Sequence, residues 1–252
     1  MKVCMNASLT DIGNAAMTPT GWLVGAGIFE TLRTVNGLAY AYARHIERAV
    51  KSAAIAKVVL PPLDVVASSV ADLLAAEALA DGLLRISFDK NGQWAAVHLP
   101  YQPVTTAAKV RIHPDALMSK GERIKSYPYE NRLAILDEAK LLGFDEAIVC
   151  STEGNLCEGA VSNIVFLIDG RWVTPPTSDG VLPGIMRGLV IDYCGVSVQS
   201  VRLSQIEEIS AAILLSSLRI AQSIQSIDGR ELELSQAFND EIHAMAVLHS
   251  VG

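Results

Sequence analysis

The sequence predicts an α+β fold in two parts. Three observations point to it: three strand–turn–strand signals, helical stretches that do not follow each strand in turn, and an uncharged, proline-containing break near the middle. A doubly wound parallel sheet would need regular alternation of strand and helix, which the sequence lacks.

The first hairpin reads as Thr31–Val35, the turn Asn36-Gly37 and Leu38–Tyr42, because Asn-Gly tolerates the positive φ angles of a type I′ turn. Arg44–Lys57 follows as a helix, with Ile46, Ala49, Val50, Ala53 and Ala54 close to an apolar stripe. Asp64–Ala80 is a second helix, bounded by Pro61-Pro62 and Asp81-Gly82. Leu84–Phe88, Asn91-Gly92 and Trp94–Leu99 repeat the hairpin pattern. Residues 100–108, PYQPVTTAA, carry two prolines and no charge and read as a linker, so the domains are expected at 1–103 and 107–252. In the second part, Asn131–Leu142 is a helix ending at Gly143. Ile164–Ile168, Asp169-Gly170 and Arg171–Thr174 form a third hairpin, and Gly184–Tyr193, Ser204–Ala212 and Gln236–Leu248 are further helices.

Composition narrows the function classes. Of 252 residues, 50% are hydrophobic and 19% charged, which suits a folded chain with a sizeable core rather than a disordered one. No long apolar run free of charge suggests a membrane span, and the N-terminus lacks the apolar stretch of a secretory signal. A net charge of −7 without a run of Lys and Arg weighs against nucleic-acid binding. Cys4, Cys150, Cys157 and Cys194 fit neither a zinc ribbon nor a CxxC site, so reduced thiols, a cytoplasmic location and no metal are expected.

Five places carry residues suited to chemistry. Arg44-His45 stands at a strand-to-helix junction, where an arginine can grip a phosphate bidentately; a surface arginine is the plain alternative. Leu182-Pro183-Gly184-Ile185-Met186-Arg187 turns the chain into a helix, whose first N–H groups can seat an anion, or form an ordinary junction. Lys125, beside Tyr127 and Tyr129, could be a desolvated nucleophile rather than a solvated lysine. Glu158 precedes the apolar run Ile164–Ile168, where a carboxylate needs a positive partner unless it sits in a polar loop. Ser216-Ser217-Leu218-Arg219 offers two hydroxyls and an arginine at the end of an apolar strand, a set equally common in loops.

In this order and spacing the five pieces resemble the class IV aminotransferase family, the fold type IV enzymes of pyridoxal 5′-phosphate. The resemblance runs from about Gly25 to Ile224. It rests on Gly25–Thr31, on Arg44–Arg48, on Gly143–Ala147 and on Glu153-Gly154, Glu158, Ser162-Asn163 and Thr174-Pro175. It implies a two-domain fold with mixed sheets and flanking helices, a homodimer, and a small amino-acid-like substrate. Carried over by position, it makes Lys125, in the second domain, the lysine that bonds the cofactor aldehyde as a Schiff base and shuttles the proton. Glu158 becomes the partner of the pyridine nitrogen and Arg44 the phosphate ligand, aided by the backbone of Ile185 and Met186 and by Ser217. Tyr129 would lie against the cofactor oxygen, with Tyr127 competing for that place.

Two departures stand out. Gly25-Ala26-Gly27 replaces the family's frequent Gly-Asp-Gly, and Met186 replaces a threonine in the phosphate turn. Within the family, the short chain, Gly184-Ile185-Met186-Arg187 and Ser217-Leu218-Arg219 lean towards 4-amino-4-deoxychorismate lyase, which releases pyruvate and 4-aminobenzoate. Arg219 would then meet a substrate carboxylate. The alternative is an aminotransferase for branched-chain or D-amino acids with 2-oxoglutarate.

Overall fold

The structure is a computed structural model that describes residues 1–118 and 123–250. The chain forms two compact units, Met1–Pro103 with Ile124–Pro128 and Val104–Arg123 with Tyr129–His249.

The first unit holds β1 (Lys2–Met5), β2 (Ser8–Asp11), β3 (Gly27–Val35), β4 (Leu38–Ala39), α1 (Tyr42–Ala56), α2 (Leu63–Ala76), β5 (Asp81–Asp89) and β6 (Trp94–Pro100). The chain then runs through β7 (Ala108–Met118) of the second unit and returns to the first as β8 (Ser126–Tyr127). Lys125 therefore belongs with the first unit, not with the second domain as the sequence suggests. The reason is strand pairing: β8 lies antiparallel to β3, with Gly27 opposite Tyr127, and the Phe29 amide donates to the Lys125 carbonyl at 3.0 Å. The sheet order is β2-β1-β6-β5-β3-β4, with β8 also on β3. Ile28, Leu32, Leu84 and Ile86 of the sheet share a core with Ala49 and Ala53 of α1 and Val66, Val70 and Leu73 of α2. Burying such apolar surface is the main drive for this packing, at about 25 cal/mol per Å².

Sequence and structure differ at two places in this unit. The buried face of α1 is His45, Arg48, Ala49, Ser52 and Ala53, one residue earlier than the apolar stripe, while Val50 is 43% exposed. Polar residues take the inner positions because a buried carboxylate, Glu30 of β3, pairs with them. In the first hairpin Asn36 and Gly37 both have positive φ, as a type I′ turn requires, but at the second only Gly92 does. There the Asp89 carboxylate accepts from the amides of Asn91 and Gln93 at 2.8 and 2.7 Å and shapes a longer turn.

The second unit contains β7, α3 (Glu130–Leu141), β9 (Glu146–Ser151), β10 (Asn155–Gly159), β11 (Asn163–Ile168), β12 (Arg171–Thr174), α4 (Ile185–Tyr193), β13 (Ser197–Val198), β14 (Val201–Arg202), β15 (Ile209–Ser216), β16 (Ile220–Ile227), β17 (Arg230–Glu231) and α5 (Gln236–Ser250). The sheet runs β13-β12-β11-β15-β16-β7-β9-β10-β14, with β17 on β16. It is mixed, because β7 lies parallel to both β9 and β16 while β15 is antiparallel to its neighbours. Val110, Ile148, Leu156, Ile164, Phe166, Leu214 and Ile224 form its core.

Ser204–Ala212 is not a helix. A 3-10 turn, Leu203–Glu208, leads straight into β15, whose residues Ala211–Leu215 are buried between β11 and β16. Sheet burial on both edges overrides local helical spacing. Asp228-Gly229, with positive φ at both residues, makes a further tight hairpin between β16 and β17 that the sequence reading passed over.

Candidate active site

In the first unit the lysine and an aromatic wall come together. Lys125 Nζ lies 4.5 Å from the centroid of the Phe29 ring, a cation–π distance. Phe29 in turn packs edge-on to Trp22 at 4.9 Å and to Tyr127 at 6.5 Å. Tyr127 is buried, and its hydroxyl has no hydrogen-bond partner among the described residues. Burial raises its pKa, with the nearby charge of Asp89 adding to the rise.

Beside them lies a buried ionic cluster that the sequence reading did not identify. His45 Nδ1 donates to Glu30 Oε2 at 2.6 Å, and Arg48 grips the same carboxylate through Nε at 2.9 Å and Nη2 at 2.5 Å. Burial opposes the charge on Glu30, yet Arg48 and His45 bring its pKa down to about 2. Burial lowers the pKa of His45 against the opposing pull of its Glu30 partner, with the charges of Arg48 and Lys125 adding to the fall. Arg44 is on the same helix but half-buried, while Arg48 is buried. The helix begins without a side-chain cap, after Ala41 in the left-handed region at φ 51°. An i, i+3 pair such as His45 and Arg48 shares one helical face, so their spacing, together with Glu30, was the available signal.

In the second unit the centre is Glu158, which is 4% exposed. Its Oε1 accepts from Arg123 Nη1 and from Arg132 Nη2 at 2.7 Å, and its Oε2 accepts from Asn163 Nδ2 at 3.1 Å and from the Leu182 amide at 2.9 Å. Asn163 Nδ2 also donates to the Leu182 carbonyl at 3.0 Å, which ties the start of β11 to the turn before α4. Gly184 at that turn has no room for a Cβ, because the Asn163 side chain fills the space. Arg123 and Arg132 were not foreseen as partners of Glu158. The demand for positive charge was legible at Glu158, but not which cations meet it.

Tyr129 caps the start of α3, and its pKa is raised chiefly by burial, with Arg132 and Arg123 opposing the rise and Glu158 and Glu146 supporting it. Ile185 and Met186 open α4 and bury their side chains, so backbone N–H groups are what this helix end presents. Arg187 instead holds the Pro175 carbonyl through Nε at 3.2 Å and Nη2 at 2.8 Å.

Ser217 lies half-buried in the turn between β15 and β16. Arg219 of the same turn is tied to Glu146, with Nη1 3.0 Å from Oε2. This bond to a fully buried acid occupies one guanidinium nitrogen of Arg219 and fixes where the side chain sits. Ile220 follows in the left-handed region at φ 63°. For a β-branched residue this conformation costs about 1–2 kcal/mol and needs surrounding structure to hold it.

The sequence pattern of the amino-transferase class IV family matches residues 27–227. A Methanocaldococcus jannaschii protein provisionally named a branched-chain-amino-acid aminotransferase is 26% identical over 76% of this chain and 74% of its own. Among solved structures, the branched-chain aminotransferase of Thermoproteus uzoniensis aligns with TM-score 0.86 at 22% identity, covering 98% of this chain and 95% of that one. A Legionella pneumophila protein provisionally named a 4-amino-4-deoxychorismate lyase aligns with TM-score 0.81 at 21% identity, covering 88% and 90%. The pyridoxal-phosphate-bound form of a hypothetical aminotransferase from Mycobacterium tuberculosis aligns with TM-score 0.84 at 20% identity, covering 98% and 99%. Enzymes of class IV use pyridoxal 5′-phosphate. The chain belongs to the class IV aminotransferase family and has its fold type IV architecture.

Proposed function

We propose that this protein is a pyridoxal-phosphate-dependent aminotransferase, with a branched-chain amino acid and 2-oxoglutarate as the first substrate pair to try. What carries the choice of amino transfer is the resemblance to relatives named branched-chain aminotransferases over about three-quarters of the chain. Lyase chemistry, which the sequence favours, is the second reading. Its support is the Gly184-Ile185-Met186-Arg187 turn, the Ser217-Leu218-Arg219 pattern and the Legionella neighbour. A homodimer in the cytoplasm belongs to the same reading, following the family.

The residues fit the cofactor in three respects. Glu158 is a buried carboxylate held by arginines, an amide side chain and a backbone amide, an acceptor suited to a protonated ring nitrogen. Tyr127 has a buried hydroxyl with no hydrogen-bond partner among the described residues, and Tyr129 is a second phenol suited to the ring oxygen. The start of α4 supplies backbone donors and a favourable dipole for a phosphate. When bound, the cofactor supplies an electron sink for the carbon that bears the substrate amine.

The chain's own residues do the rest. Lys125 Nζ would hold the cofactor aldehyde and carry the proton to and from the reacting carbon. The Phe29 ring lies against that lysine's ammonium and is itself backed by Trp22. Either arginine of α1 could bind the phosphate: Arg44, as the resemblance implies, or Arg48, which is buried on the inner face and would share its charge with Glu30.

Two assays on protein loaded with pyridoxal phosphate separate the readings. In the first, leucine and 2-oxoglutarate are supplied and glutamate is followed. In the second, 4-amino-4-deoxychorismate is supplied without any keto acid, and pyruvate and 4-aminobenzoate are followed. Glutamate in the first and silence in the second is the expected result. Pyruvate release in the second with a silent first restores the lyase.

A further inference from the structure

We infer that Arg219 is a positioning residue that, through Glu146, fixes the turn carrying Ser217 against the turn following Glu158. The inference rests on the cofactor reading above and adds to it a device that holds two of the candidate cofactor-binding turns in register.

Strand pairing brings the three parts to one end of the second sheet. Asn163, the first residue of β11, lies opposite Leu215, the residue before Ser216 and the β15–β16 turn. Gly159, the last residue of β10, lies opposite Ile148 of β9, so Glu146 at the start of β9 falls beside the turn from Gly159 to Ser162. Glu146 is fully buried and bonds to both turns. Its Oε1 accepts from the Ala160 amide at 3.1 Å and the Ala147 amide at 3.2 Å. Its Oε2 accepts from Ser162 Oγ at 3.1 Å and from Arg219 Nη1 at 3.0 Å.

The neighbouring backbone leaves little slack. Gly159 has no space for a Cβ, because Ser162 Oγ and the Glu146 side chain occupy it, and the Gly159 amide donates to the Ser162 carbonyl at 2.7 Å. On the other side the Arg219 amide donates to Ser216 Oγ at 3.1 Å, and Ile220 is held at φ 63°. A β-branched residue persists there only if something fixes the turn, and the ion pair of Arg219 does so. Without that anchor the Ser217 turn would relax to a less strained geometry and lose its register with the Glu158 turn. A binding site assembled from loops loses affinity when its pre-organisation is lost, even if every direct contact residue remains.

The test is the affinity of cofactor-free protein for pyridoxal phosphate, followed by absorbance, with thermal stability measured in parallel. Arg219→Met is expected to weaken binding about tenfold. The double variant Glu146→Gln/Arg219→Met leaves no unpaired buried charge and so keeps a foldable protein in hand; it should weaken binding by a similar factor, since the two residues act as one unit. Arg219→Lys, which retains the charge but not the fork, should recover part of the affinity. Arg230→Met is the control for a purely structural arginine, because Arg230 holds the carbonyls of Ile206 and Ile209 instead. It should lower thermal stability and leave affinity unchanged. Wild-type protein that takes up no pyridoxal phosphate overturns the cofactor reading and this inference with it. Wild-type binding together with Arg219→Met binding within twofold of it overturns the positioning role alone.

Discussion

Glu146 and Glu158 are two buried carboxylates on neighbouring strands, and they are held in different ways. Glu146 takes two of its bonds from backbone amides, that of Ala147 in β9 and that of Ala160 in the turn after β10. Glu158 takes three of its four from side chains, those of Arg123, Arg132 and Asn163. A carboxylate locked by backbone can brace its surroundings but cannot readily accept a new partner. One held by long side chains can exchange a donor for a ligand's positive nitrogen at small geometric cost. The contrast separates a brace from a candidate site within one sheet.

The largest effect that would sharpen the contrast is expected at Glu158. Glu158→Gln keeps the shape and removes the charge, and it should lower kcat at least about 100-fold, in line with the loss of an electrostatic partner of the reacting system. Circular dichroism should show the fold retained. A kcat within threefold of wild type would mean that Glu158 is no more a site residue than Glu146.

A smaller effect divides the arginines of the first unit. Arg48→Gln is expected to weaken pyridoxal-phosphate binding more than tenfold, and Arg44→Gln less than threefold, because Arg48 lies on the buried face of α1 and Arg44 does not. The reverse order would restore Arg44 as the phosphate ligand and reduce Arg48 to a structural partner of Glu30.

The smallest effect concerns pH. Burial holds the pKa values of His45 and His98 below the ordinary histidine value. His98 is held between Thr34 Oγ1 and the Glu77 carbonyl, each at 2.7 Å. A histidine kept neutral in the folded state takes up its proton later than in the unfolded chain, so the unfolded state binds more protons as pH falls below 6.5. Stability should therefore be level above neutrality and decline through mildly acidic pH. Urea midpoints that stay flat from about pH 7.5 to about pH 5.5 would contradict this. His98→Asn should flatten part of the slope, since it removes one of the two groups.

Much of the fold was legible because its signals are local. Asn36-Gly37 and Asp169-Gly170 make the turns their φ preferences require, and Leu63–Ala76 forms a helix after the two prolines. The failures have one cause in common. The α1 stripe is displaced by a residue because Glu30, on a distant strand, attracts His45 and Arg48 inward. Leu203–Glu208 yields to β15 because two neighbouring strands bury the run that follows. At the site, Lys125 and Glu158 were singled out as residue types that need special surroundings. Arg132 passed unnoticed, and Arg48 and Glu146 entered only as members of motifs without a role, because an arginine or a glutamate in sequence does not reveal its partner.

The sequence by itself determined the α+β character, the tight turns and, through the order and spacing of its motifs from about Gly25 to Ile224, the class IV family. These are properties of short segments, set by φ preferences, hydrophobic period and motif spacing. Only the tertiary structure decided that Lys125 pairs its strand with β3, that Arg48 rather than Arg44 faces inward, and that Arg219 spends its charge on Glu146. Each of those depends on which distant groups share a buried space, where an unpaired charge is costly and the partner that removes the cost fixes the geometry.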